Sequence, residues 1–385
     1  VKSFVLLFIG ILLNQYAYAV PLRSKVVSVG LASNFTEVSP SSSNPFGGYF
    51  RDGVQLALKD AQKKLKAKGI EVTTKDFDYG TADARVLSAA KDAVASDVVA
   101  VLGYNWSSQA LLAAPIHQAG KLPMITPSAT ANRIGSMGKY VHQGCFDNAF
   151  MGETLASVAT KRLKAKTAVI VAAADCAYCT DLASAFEKEF KVLGGTVVAS
   201  LPILQSDKSF ATVVEKLRAE KFDVVLVPNQ ELLSARIIAA LHAAGIQKPF
   251  LGGDGWGNVG EEFFAIIGKE KINGYSTSHW HPQEMSARSK KFAASYVKAF
   301  GKEPNDTSVL AYDSMSLLID AILAANSLSR EGVEESLARL SSYNGVTGKF
   351  IFSSGRAPKK SLVLLSISNS KFKVADRIEP SERRP

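Results

Sequence analysis

Along the chain, short apolar runs of strand character alternate with stretches whose apolar residues recur at helical spacing. The strand-like runs fall at 25–30, 71–77, 98–102, 122–126, 167–172, 196–201, 223–227 and 250–252. Between the first two, Val54, Ala57, Leu58, Ala61 and Leu65 line up as one apolar stripe of a helix. Such alternation predicts an α/β fold in which parallel sheet is covered by helices.

The two halves of the chain echo each other. Asp97-Val98-Val99-Ala100-Val101-Leu102 leads through a helical stretch to Ala119-Gly120 and then Pro123, while Asp223-Val224-Val225-Leu226-Val227 leads through another to Ala244-Gly245 and Pro249. Asp and Pro stand 26 positions apart in both copies. Each unit reads as strand, helix closed by a glycine C-cap, and proline before the next strand. Two similar doubly wound lobes are therefore expected, with a boundary near 145–148. Beyond about Gly274 the pattern changes to two long helices, 286–300 and 308–328, then short strands at 349–352, 361–367 and 371–375, with 377–385 as a polar tail.

With 385 residues, 47% hydrophobic and 21% charged, the chain is too long for one core and too apolar for disorder, so two lobes and a cleft between them follow. Residues 1–19, with Lys2, the apolar run 4–13 and Ala17-Tyr18-Ala19, have the form of a cleaved signal peptide, which implies a soluble periplasmic protein. The formal net charge is +10, but the basic residues are spread over helix ends without aromatic interleaving, which excludes a nucleic-acid partner.

Three cysteines stand at 145, 176 and 179. In an oxidising compartment Cys176-Ala177-Tyr178-Cys179 reads as a local structural disulfide or as a redox-type C-x-x-C, with Cys145 free or competing for either partner. His279-Trp280-His281 is half a metal site at most, and no further ligands at suitable spacing complete it, so no metal or other cofactor is expected. No nucleophile with its base is nominated either, so the chain does not read as an enzyme.

Ligands of open parallel sheets bind beyond the C-terminal strand ends, where helix N-termini offer unpaired N–H groups. Three such ends carry chemistry. Ser107, placed as a helix N-cap after Gly103-Tyr104-Asn105-Trp106, suits a carboxylate, and Ser128-Ala129-Thr130 offers further donors. Gly253-Asp254-Gly255 holds a carboxylate in a tight turn, suited to a ligand cation.

With Val101-Leu102-Gly103, Ser107-Ser108, the run 124–130 and the run 250–258, the chain resembles type I periplasmic solute-binding proteins of the leucine/isoleucine/valine-binding family. The resemblance implies two parallel-sheet lobes joined by a three-strand hinge, with crossovers near Phe146, Thr277 and Lys359. Lobe one would comprise 24–146 plus 278–358, and lobe two 147–277 plus 359–376. It also implies an amino acid or similar zwitterion held by Ser107 and Thr130, with backbone help from Asn105 and Ala129. Asp254 would meet the ammonium, Tyr178 would close over the ligand, and Phe46 would pack on its side chain. Gln230 stands where branched-chain binders carry an aromatic residue, which implies a more polar side-chain pocket. The implied partner is an ABC transporter permease; a sensory module for amide, urea or short-peptide ligands is the alternative reading.

Overall fold

The computed structural model describes residues 25–36, 46–257, 260–268, 272–283, 286–352, 356–368 and 371–380. The leader 1–19, Asn258 and the end of the tail lie outside the described residues. The chain opens with β1 (Lys25–Ser33), α1 (Phe46–Ala67), β2 (Ile70–Asp78), α2 (Asp83–Ala95), β3 (Ala100–Gly103), α3 (Ser107–Ala119), β4 (Met124–Thr126) and β5 (Val141–Gln143). These strands form a parallel sheet in the order β2-β1-β3-β4-β5. It continues through α4 (Asn148–Ser157), β6 (Thr167–Ala173), α5 (Ala177–Val192), β7 (Thr196–Ile203), α6 (Ala211–Arg218), β8 (Val224–Leu226), α7 (Glu231–Ala243), β9 (Phe250–Gly252), α8 (Gly260–Ile267) and β10 (Gly274–Ser278). Next come α9 (Ala287–Phe300), α10 (Asp306–Ala324), α11 (Arg330–Ala338), and the β11 (Ser342–Gly345) to β12 (Gly348–Ile351) hairpin. β13 (Leu362–Ser368) and β14 (Lys371–Ile378) end the described chain.

The second sheet runs β14-β13-β10-β9-β8-β6-β7. Its parallel part repeats the first sheet's order, with β6 to β10 in the places of β1 to β5, and β13 and β14 add antiparallel strands. The echo in the sequence is thus the repeated β3–α3–β4 and β8–α7–β9 unit of a two-lobed doubly wound fold.

Pleating sends Val27, Val29 and Leu31 of β1 to one face, where they meet Phe50, Val54 and Ala57 of α1 and Met315, Leu318 and Ile322 of α10. The other face is covered by alanines of α2 and α3, Ala90, Ala93, Ala110, Ala113 and Ala114, whose small side chains let these helices lie close. Helix α10 thus returns, after the five parallel strands of the second sheet, to complete the first lobe's core.

Several expectations are corrected. In the first echo copy the left-handed residue is Lys121 (φ 49°), not Gly120, which sits at φ −79°. Glycine is demanded there by packing, because a Cβ would lie 2.4 Å from Val94 Cγ1. In the second copy Gly245 does take the left-handed cap, at φ 83°. Trp106, not Ser107, is the N-cap of α3, and Ser107 is its first helical residue. Arg377 and Ile378, assigned to the tail, are paired in β14. Strands β5, β10 and β11 and helix α11 go unpredicted. Val-His-Gln and Gly-Tyr-Ser-Thr-Ser carry no apolar alternation, and tertiary pairing rather than local propensity makes them strands.

Where the chain passes between the sheets, its segments pack on one another. Phe146 stacks on His279 with ring centroids 3.9 Å apart, and Lys360 Nζ lies 5.9 Å from the Phe146 ring. Burial pulls the Lys360 ammonium down to about 8, against the pull of the nearby Asp313 carboxylate.

Candidate functional site

The C-terminal ends of both sheets face the same cleft, and short loops there deliver side chains from each lobe. From the first sheet, the β3–α3 turn brings Asn105, Trp106 and Ser107, and the segment after β4 brings Ser128 and Thr130. Ser107 Oγ accepts from the Ala131 N–H at 3.1 Å, and Ser128 Oγ donates to the Asn105 carbonyl at 2.8 Å, so the two loops brace each other. No side chain caps α3, which leaves its first N–H groups for the cleft. Phe46, at the start of α1, packs on Trp106 with centroids 5.0 Å apart.

The second sheet supplies Asp254 from the turn after β9, Gln230 at the N-cap of α7, and Tyr178 from the first turn of α5. Cys176 and Cys179 are bridged across that turn, and Cys145 is free and buried. Tyr178 Oη accepts from the Gly255 N–H at 3.1 Å. Burial, and then the Asp254 carboxylate, hold its phenol well above the ordinary value, so it stays neutral.

Seven of the eight expected residues, Phe46, Asn105, Ser107, Thr130, Tyr178, Gln230 and Asp254, line one small cavity of ≈ 40 Å³. Ala129 does not. Its N–H goes to Thr126 Oγ1 and its carbonyl accepts from Gln143 Nε2, so the backbone role expected of it finds no free group.

Sequence reasoning missed Trp106, His279, Asp306 and Thr307, which also line the cavity. His279 Nε2 lies 2.9 Å from Asp254 Oδ2, and burial, opposed by that carboxylate, lowers its pKa, so the ring is a neutral donor. His281 instead accepts from the Gln283 N–H, so the two histidines do not act together. Asp254 keeps its other oxygen, Oδ1, buried without a hydrogen-bond partner among the described residues. Asp306 follows the N-cap Asn305, whose capping box marks a helix start but not the cleft.

Burial pushes the Asp306 carboxyl up to about 7. Ser278 Oγ lies 2.6 Å from Asp306 Oδ2 and 2.7 Å from the Trp280 carbonyl, and one hydroxyl proton cannot serve both acceptors. A protonated Asp306 donating to Ser278, which donates onward to Trp280, satisfies all three. The folded state then holds a proton that the unfolded chain has lost above its ordinary value of 3.8, so stability falls as pH rises from about 4 to about 7. Asp306→Asn is expected to flatten that fall, measured as Tm between pH 4.5 and 8; an unchanged slope would place the titration elsewhere.

An open groove of ≈ 1210 Å³ runs between α6 and α7 of the second lobe, with Lys208 and Arg236 among its walls. The interlobe cleft, with convergent polar groups from both sheets, is the ligand site of such a fold. The lobes meet across it, the Asn132 N–H donating to Asp181 Oδ2 at 2.8 Å.

Two doubly wound lobes with a polar cavity between them define a solute-binding receptor. The chain belongs to the periplasmic binding protein family, whose profile matches residues 26–371. It is 28% identical over 256 residues to the Leu/Ile/Val-binding protein BraC3 of Rhizobium johnstonii, covering 66% of this chain and 68% of that protein. Among solved structures it is similar to the leucine-binding protein LivK of Thermotoga maritima, with TM-score 0.83, 27% identity, and 92% of this chain and 99% of that one covered. It is also similar to the branched-chain amino acid substrate-binding protein LivJ of Streptococcus pneumoniae in complex with isoleucine, with TM-score 0.82, 26% identity, and 92% and 100% covered.

Proposed function

We propose that this receptor binds an amino acid or similar small zwitterion in the cleft and presents its closed form to an ABC importer's permease, with no chemistry performed on the ligand. The observation that carries this reading is the buried, unpartnered Oδ1 of Asp254, a residue that lines one cavity together with Thr130 and with Ser107 at the uncapped start of α3. An ammonium would take the carboxylate oxygen, and a carboxylate would take the hydroxyls and N–H groups. The named relatives, binders of leucine, isoleucine and valine, support the ligand class. The apolar, Lys-led leader supports export to the periplasm.

Closure of the two lobes excludes water and strengthens the ion pair at Asp254. A thermal-shift screen of the purified protein against the L-amino acids, amides and simple carboxylates tests the reading. Ligand at about 100 times its Kd adds ~2.7 kcal/mol of stability, a clear rise in Tm. A rise with amides or carboxylates but with no amino acid would overturn the zwitterion assignment.

A further inference from the structure

Next to the small cavity lies a chamber of ≈ 730 Å³ between the lobes, and the two share Trp106, Ser107, Tyr178 and Gln230 as common walls. Among the described residues lining the chamber, none is aliphatic. Its charges balance, Asp83 and Asp175 against Lys208 and Arg236. On the lobe-one side, Gln109 Oε1 is buried without a hydrogen-bond partner; on the lobe-two side, Arg236 Nε is buried without one.

These features call for a particular occupant. An aliphatic side chain would leave the buried acceptor of Gln109 and the buried donor of Arg236 unanswered, which binding sites built around polar groups penalise heavily. A carboxylate answers Arg236 but offers Gln109 no donor and meets Asp83 and Asp175. An ammonium has the opposite fault. A terminal amide carries an acceptor and a donor on one planar, uncharged group.

We propose that the chamber is the specificity half of the site and takes a ligand side chain ending in a carboxamide or ureido group. Its methylenes run past the Phe46–Trp106 pair while the head sits at Asp254. This rests on the zwitterion reading of the small cavity and adds the identity of the side chain.

Isothermal titration of the purified protein with L-glutamine, L-citrulline, L-leucine, L-glutamate, L-lysine and L-alanine tests it. One of the two amide ligands is expected to bind at least tenfold tighter than leucine, glutamate and lysine; citrulline over glutamine would identify the group as ureido. Gln109→Leu and Arg236→Met are each expected to weaken that ligand about tenfold, while alanine, which reaches only the small cavity, binds within twofold of the unaltered protein and so reports that the variants fold. Tighter binding of leucine, glutamate or lysine, or amide affinity untouched by both variants, overturns the chamber assignment and leaves the zwitterion reading standing. Binding of no α-amino acid at all overturns the zwitterion reading, and this proposal with it.

Discussion

Asp254→Ala is expected to cost at least ~2 kcal/mol of amino-acid affinity, a loss of about 30-fold or more, because the ligand ammonium is left buried without its counter-charge. His279 holds the carboxylate at Oδ2 and the Tyr178 phenol lies within its field, while Oδ1 has no hydrogen-bond partner among the described residues. A buried acceptor left open in this way costs stability in the free protein. Removing it ends that cost but leaves the buried His279 Nε2–H without its acceptor, so the ligand-free Tm should change little while binding collapses. A large loss of affinity with little change in Tm separates a binding residue from a structural one. Isothermal titration and a melting curve on the same variant give both, and wild-type affinity in Asp254→Ala would end the amino-acid reading.

Gly252→Ala is expected to destabilise the second lobe by ~1–3 kcal/mol and to abolish binding as well. A Cβ at this position would lie 2.0 Å from the Trp256 ring, which is fully buried and anchored by its indole N–H to the Val227 carbonyl. The indole also packs against Phe263, tilted at 37° with centroids 5.2 Å apart, which restricts the room it has to yield. The movement must then pass to the turn that carries Asp254. Gly253 is confined in the same way, with the Tyr178 hydroxyl 2.2 Å from its would-be Cβ. Gly252 and Gly253 are therefore packing requirements of the site. Urea denaturation of Gly252→Ala with intrinsic tryptophan fluorescence reads the loss. A midpoint and affinity equal to the unaltered protein would show that Trp256 can shift freely.

Much of the site was legible because its residues sit where strand and helix signals meet. Ser107, Thr130 and Asp254 each follow an apolar run that ends a parallel strand, and such ends are where ligands collect. Ser128 was offered as a further donor in the same run, whereas Trp106 had no local mark to distinguish it from an ordinary loop residue. His279 and Asp306 were out of reach for a different reason. They reach Asp254 and the cavity only because the chain crosses back after β10 and starts α10 beside the cleft. Nothing within a few residues of either position encodes that meeting.

Hydrophobic periodicity, the repeated Asp-to-Pro unit and the glycine-bounded turn at Asp254 are local properties of the chain. From them the α/β class, the doubled lobe and most of the cavity wall follow, because backbone geometry converts spacing directly into faces and ends. Tertiary structure alone decided the polar strands β5 and β10, the return of α10 to the first lobe's core, the protonation of Asp306, and the Gln109–Arg236 chamber. Each of these depends on desolvation or pairing by segments distant in sequence, and such energies have no local signature.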